Sequence, residues 1–296
     1  MEEKFDIKKW RAERPMDYKL AMNIINQASS KNKAFQIIYQ VTRLYLPNIL
    51  YKYFSLTEDI SLNNSKLETL MNQKTYMSNV KDLNDPFDGK AYFYRPEQLK
   101  KYEILAAHGS KLIDDFSTFT KIASFTENGI NSMPMWAHYS NNHRGFCISY
   151  NMKDQRNIQL SSCTFPVQYI NQRIDVTDLV DYQTGQVISE VEKCVKDGKK
   201  EILYDDLSLI FMIAFFSNIK HKTWSYEKEF RCVTGGTAKD TSFFTAIPME
   251  IYIGINCSPL HVKRLVEIAE QLKIPAYKMR FDKYSTNYDL SYQKLI

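Results

Sequence analysis

Apolar residues recur every three or four positions over 16–28 and again over 34–46. That is the stripe of an amphipathic helix, so two helices are expected there. Pro47 ends the second one, because the residue before a proline is pushed out of helical geometry. From position 50 the pattern changes. Leu50-Tyr51-Lys52-Tyr53-Phe54 is short, aromatic and β-prone. A helix is expected around 67–72, a strand over 74–78, and a helix over 96–118 with Pro96 near its first turn. A buried strand over 122–126 and a short helix over 133–139, begun at Ser132, come next. Strands over 146–150 and 163–170 precede a mostly helical stretch, 178–218, broken near Asp197-Gly198. The last elements are a strand over 249–255, a helix from Ser258-Pro259 to Lys273, and a strand over 276–281. Their order is that of a βαβ unit. Strands and helices mix without strict alternation, which predicts an α+β fold with a curved, mixed, mostly antiparallel sheet. Residues 1–48 read as an N-terminal helical extension and 49–296 as the α+β core domain.

One stretch carries unusual charge: Trp224-Ser225-Tyr226-Glu227-Lys228-Glu229-Phe230-Arg231. Read as a strand with alternating faces, it puts Glu227, Glu229 and Arg231 on one side. Tyr226, Lys228, Phe230 and Cys232 then face a core. Two carboxylates two residues apart can hold a sugar hydroxyl and steady positive charge on it, or can simply line a solvated face. The turn signals of Asn84-Asp85-Pro86-Phe87-Asp88-Gly89 mark either a capped turn or a loop at the mouth of a site.

Composition narrows the classes. Hydrophobic residues are 44% of 296, so the chain can fold on a substantial core. The formal net charge of +5 permits an anionic partner without requiring one. Five cysteines lie far apart with no CxxC pair, which points to buried thiols rather than a disulfide framework or zinc knuckle. His138 and His143 are five apart and do not match the i, i+4 spacing of two ligands on one helix, and no metal is expected. The charged N-terminus lacks a signal-peptide core, and the apolar run 207–219 is too short for a span. A soluble, cytoplasmic protein with no membrane partner is therefore expected. No phosphate loop of the form GxxxxGK[ST], no GxGxxG and no GxSxG occurs.

Four segments taken in order resemble the bacterial domain-of-unknown-function family numbered 2971. They are Leu50 to Tyr53, Asn84 to Asp88, Met135 to Tyr139 with His143-Arg144-Gly145, and Trp224 to Arg231. Together they cover roughly residues 48–257. The layout is similar at a distance to the ADP-ribosyltransferase superfamily, including the DarT-like toxins that modify nucleic acids. That resemblance implies three strand-borne elements. Lys52 or Tyr53 would take the first place, where His or Arg is usual, Ser124 or Thr126 the second, and Glu229 the third. It implies NAD as a substrate and a macromolecular acceptor such as RNA or DNA. It also implies a role as toxin or phage-defence effector, with an antitoxin or defence-system protein as partner.

Nicotinamide departure leaves a ribosyl cation resembling the oxocarbenium species of glycoside cleavage. On this reading Glu229 stabilises that charge and Glu227 orients or deprotonates the acceptor. Lys52 holds the diphosphate or adenosine ribose. Tyr53, Trp136 or Tyr139 stacks on the nicotinamide ring. Arg231 pairs with a phosphate or with Glu227. Two other readings stand beside it: a metal-dependent hydrolase or nuclease using Asp85, Asp88, His138, His143 and Glu229, and a non-catalytic sensor or binding component of a defence or toxin–antitoxin system.

Overall fold

The computed structural model describes residues 6–13, 23–24, 27–103, 120–199, 216–235 and 242–296. In chain order the helices are α1 (Ile7–Glu13), α2 (Lys31–Tyr45), α3 (Ile60–Met71), α4 (Met133–Tyr139), α5 (Ile158–Ser162), α6 (Thr177–Lys196) and α7 (Pro259–Leu272). The strands are β1 (Ile49–Phe54), β2 (Lys74–Tyr76), β3 (Ser78–Asn79), β4 (Tyr92–Phe93), β5 (Thr120–Thr126), β6 (Phe146–Asn151), β7 (Thr164–Pro166), β8 (Gln168–Ile170), β9 (Ile174–Asp175), β10 (Ile219–His221), β11 (Glu229–Gly235), β12 (Phe243–Thr245), β13 (Glu250–Ile253), β14 (Ala276–Phe281) and β15 (Leu290–Lys294).

Nine of these strands form one open sheet. Its order is β15-β14-β13-β6-β1-β5-β11-β7, and β3 also pairs with β5. Within it β13 and β14 run parallel, joined by α7 as the βαβ pattern predicts, and the other pairs are antiparallel. The fold is thus α+β with a mostly antiparallel sheet that does not close. Alternation sorts the side chains of β6: Ile148 enters the main core and Cys147 the cluster on the other face. On the first face Leu50, Ile148, Ile251 and Ile253 pack with Leu67 and Leu70 of α3 and Leu265 and Ile268 of α7. On the second, α4 covers Tyr53 and Cys147 with Met135 and Trp136. Gly145 lies where a Cβ would stand 1.8 Å from the Phe54 carbonyl oxygen, so bare backbone is required for β6 to start beside β1.

The sheet has a gap at its centre. β1 meets β5 in register at Tyr51 and Thr126. β3 takes the same side of β5 further along, at Ile122 and Lys121. Between these points Lys52 reaches across, its Nζ donating to the Ser124 carbonyl at 3.2 Å.

α2 packs on β7 through Ile38, Tyr45 and Phe165. Its last carbonyls are capped by Arg11, whose Nε donates to Leu44 O at 2.8 Å. The expected helix around 67–72 begins earlier, at Ile60, because Asp59 caps it by accepting from the Leu62 N–H. The single strand expected over 163–170 breaks at Val167, whose N–H turns to the Glu229 carbonyl. Its halves join different partners, β7 with β11 and β8 with β10. Of the helix expected over 96–118 the described residues show a 3₁₀ turn, Pro96–Leu99, and helical geometry at Glu103, and 104–118 lie outside the described residues. So do most of 16–28 and 200–215. Among the described residues no helix is long and apolar enough to cross a membrane.

Candidate functional site

The stretch expected to run as a strand from Trp224 does not. Lys222–Glu227 is a 3₁₀ helix capped by His221, whose Nδ1 accepts from the Thr223 N–H. Lys228 follows in the left-handed region at φ 43°, and the strand begins only at Glu229. Period-two alternation therefore fails at this point, and Tyr226 and Lys228 are exposed instead of facing a core. Glu227 and Glu229 converge by another route. The left-handed residue between them redirects the chain, and Thr126 pins the turn by donating its hydroxyl to the Glu227 carbonyl at 2.5 Å.

Both carboxylates are buried and meet one ammonium. Lys220, on β10, donates to Glu227 Oε2 at 2.7 Å and to Glu229 Oε2 at 3.3 Å. Arg231 grips Glu229 through Nε at 2.8 Å and Nη2 at 3.1 Å. Its Nη2 also donates to Asp88 at 2.7 Å, and Nη1 to the Ser217 carbonyl at 2.7 Å. Tyr139 closes the other end with a hydrogen bond to Glu227 Oε1. The chain of contacts is Tyr139–Glu227–Lys220–Glu229–Arg231–Asp88. The Asn84–Asp88 turn is capped and also borders the cavity. Asp85 caps it from within, accepting from the Phe87 N–H at 2.9 Å, while Asp88 and Asn84 line the cavity.

Burial and partners pull these groups in different directions. Burial alone would raise Glu229, but Arg231 and Lys220 outweigh it and hold the carboxyl at about 2. Glu227 goes the other way: burial raises it above the usual carboxylate range despite Lys220. Burial also raises Asp88. Lys52 is pushed down to about 8 by burial, against the pull of Glu229. Burial and then Glu227 raise the Tyr139 phenol. The two neighbouring carboxyls thus differ in acidity, Glu229 the stronger acid and Glu227 the weaker.

These groups surround a cavity of about 150 Å³ in the gap between β1 and β5. It has room for roughly five waters, hence for a ribose or one planar ring, and not for a whole dinucleotide. Lys52, Tyr53, Ser124, Thr126, Tyr139, Glu227, Glu229 and Arg231 all line it. Their roles differ from the expected ones in places. Trp136 does not line the cavity. It is wholly buried behind Tyr53, its ring edge-on to that tyrosine at 5.0 Å and its indole N–H donating to the Ile130 carbonyl at 2.7 Å. Arg231 has every fork of its guanidinium bound, to Glu229, Asp88 and Ser217 rather than to Glu227, which leaves it unsuited to seize a phosphate. Tyr53 spends its hydroxyl on the Gly129 carbonyl at 2.5 Å.

Lys220 was missed. It lies beyond the end of a helical reading, and a lone lysine beside Ile219 carries no periodic signal. Tyr169 was missed as well; its hydroxyl accepts from the Glu229 N–H at 2.8 Å.

Residues 135–232 match the model of a family described as a protein of unknown function (DUF2971). The match is less than half of the chain. It takes in Tyr139, Lys220, Glu227, Glu229 and Arg231, and stops short of Lys52, Asp88 and Ser124. No curated protein and no solved structure matches.

Proposed function

We propose that this protein is a glycosyl-transfer enzyme that cleaves the nicotinamide–ribose bond of NAD and passes the ADP-ribosyl group to a macromolecule. The observation that carries this reading is the opposed pair of carboxyls opening onto one ring-sized cavity. Here Glu229 stays an anion and stands where positive charge on a ribose would develop. Glu227, which can hold a proton, takes one from the acceptor as the acceptor attacks. The C1′–N bond breaks, its electron pair leaves with nicotinamide as the neutral base, and the new bond forms at C1′. Lys52, at the gap, offers a positive charge to a phosphate of the part of NAD that lies outside the cavity. Trp136 has no place in this scheme.

The hydrolase alternative loses its ligand set. His143 stacks on Trp136 at 5.8 Å, Asp85 is turned into its own loop, and Asp88 is bound to Arg231. Among the described residues no three His, Cys, Asp or Glu side chains are grouped to hold a metal.

The test is nicotinamide release from NAD by purified protein, with and without nucleic acid or cell extract. Glu229→Gln is expected to lower the rate about 10²-fold or more. Wild-type protein that is folded, yet neither releases nicotinamide nor labels any macromolecule, would end this reading.

A further inference from the structure

Three cations line the cavity: Lys52, Lys220 and Arg231. Two of them are neutralised. Lys220 meets Glu227 and Glu229, and Arg231 holds Glu229 and Asp88. Lys52 is placed differently. Its Nζ donates to the Ser124 carbonyl at 3.2 Å, and among the described residues no carboxylate lies within ion-pairing distance of it. Its other neighbours are rings, with the Phe125 centroid at 5.3 Å and the Phe54 centroid at 5.8 Å. Two ionisable groups on β11 face it. Glu229 favours the ammonium from a distance, its oxygens already engaged by Lys220 and Arg231, and the Cys232 thiol is itself buried.

A lysine among rings, with one neutral acceptor, gives up its proton more readily than a lysine in an ion pair. Burial brings Lys52 to about 8, so near that pH about half of it is free amine. An ordinary lysine at the same pH is under about 1% amine. The charged form serves a phosphate, as described above. The neutral form carries a lone pair beside a cavity, and phosphate binding makes no use of it. Amine lone pairs add to carbonyl carbons, and desolvated lysines form Schiff bases in this way. The carbonyl must arrive on a molecule that fits. Leu83, Phe125 and Met135 give the ring-sized cavity apolar walls, and Asn84, Ser124 and Glu227 give it polar ones. A short sugar has both kinds of surface, C–H faces and hydroxyls.

We propose that Lys52 is a nucleophile that captures the aldehyde carbon of a short sugar in this cavity as an imine. The lone pair forms the C–N bond while the carbonyl π pair moves to oxygen. Glu227, on the same cavity, lends a proton to that oxygen and recovers one from nitrogen. The C–O bond then breaks. Both nitrogen protons leave with the oxygen as water, and Glu227 ends as it began. The step needs no other reactant and does not rest on the transfer reading above.

Reductive trapping tests it. Purified protein is incubated with D-glyceraldehyde and cyanoborohydride, which delivers hydride to the imine carbon and fixes it as a secondary amine. Peptide mass spectrometry reads the rate at each lysine. At pH 8 Lys52 is expected to gain the adduct at least about tenfold faster than the exposed Lys222 and Lys228. Its rate is expected to level off above about 8, while theirs climbs toward about 10. A long oligosaccharide whose reducing end presents an aldehyde is expected to label the surface and spare Lys52. Lys52→Arg is expected to lose the fast adduct with the surface rates unchanged, and the wild-type rates decide the matter even where that variant does not fold. Lys52 labelled no faster than the surface lysines, a Lys52 rate still rising at about pH 10, or equal labelling by the long sugar each overturns the proposal. Fast labelling of Lys52 in a protein that releases no nicotinamide keeps the reactive amine and removes the donor chemistry.

Discussion

On the β13–β14 side of the sheet, Ile251 and Ile253 pack against Leu265 and Ile268 of α7, and apolar burial holds the strands. On the β5–β11 side, within the same sheet, Glu229 and Arg231 are buried with Asp88 and Lys220, and ion pairs fill the space. The first arrangement tolerates loss of one group gradually, because dispersion and hydration terms are small and many. The second is all-or-none: each buried charge is tolerable only while its partner stays. Apolar packing in one half and a buried ion network beside a cavity in the other are the two uses made of a common scaffold.

The largest expected effect breaks the polar half. Arg231→Met leaves Glu229 and Asp88 without their guanidinium and should cost about 3–5 kcal/mol in urea unfolding. A loss under about 1 kcal/mol would mean that water replaces the arginine. The matching change in the apolar half, Leu265→Ala, should cost about 2–4 kcal/mol, with no dependence on pH.

pH sharpens the contrast. Glu229 is held at about 2 against an ordinary 4.5. Its contribution to stability is therefore complete above about 4.5 and is lost as pH falls toward 2. The difference in stability between wild type and Glu229→Gln should shrink across that window. Glu227 and Asp88, raised by burial, act with the opposite sign and favour the folded state as they take up protons.

Smaller in stability but large in rate is Glu227→Gln, which keeps an acceptor for the Tyr139 hydroxyl and leaves Lys220 paired with Glu229. It should cost about 1–3 kcal/mol, less than Arg231→Met because Lys220 keeps Glu229. Transfer should rise with pH as Glu227 loses its proton and fall above about 8 as Lys52 loses its charge. Glu227→Gln should remove the acid limb, and Lys52→Arg should move the alkaline limb upward. Lys222→Glu, at the surface, should leave stability within about 0.5 kcal/mol of wild type.

The two halves also differed in how far they could be read in advance. The βαβ unit was legible because Ser258-Pro259 starts a helix by local capping and the flanking apolar runs bury on contact with it. The strand from Trp224 was misread because Glu-x-Glu-x-Arg looks alternating on paper, and nothing local announces that Lys228 takes a left-handed conformation. A ring-stacking role for Trp136 follows from its side-chain type and not from its place in the fold. Its burial depends on Tyr53, which is far from it in sequence.

By itself the sequence determined the class of fold and the order of most elements, and its family resemblance pointed to a set of residues of which all but Trp136 line one cavity. These follow from short-range rules of period, capping and turn chemistry, which act within a few residues. Only the tertiary structure decided that Lys220 bridges the two carboxylates, that Arg231 is fully engaged, and that Glu229 and Glu227 are driven apart in acidity. Burial and Coulomb interaction act through space, between residues the chain keeps far apart until β5, β10 and β11 come together.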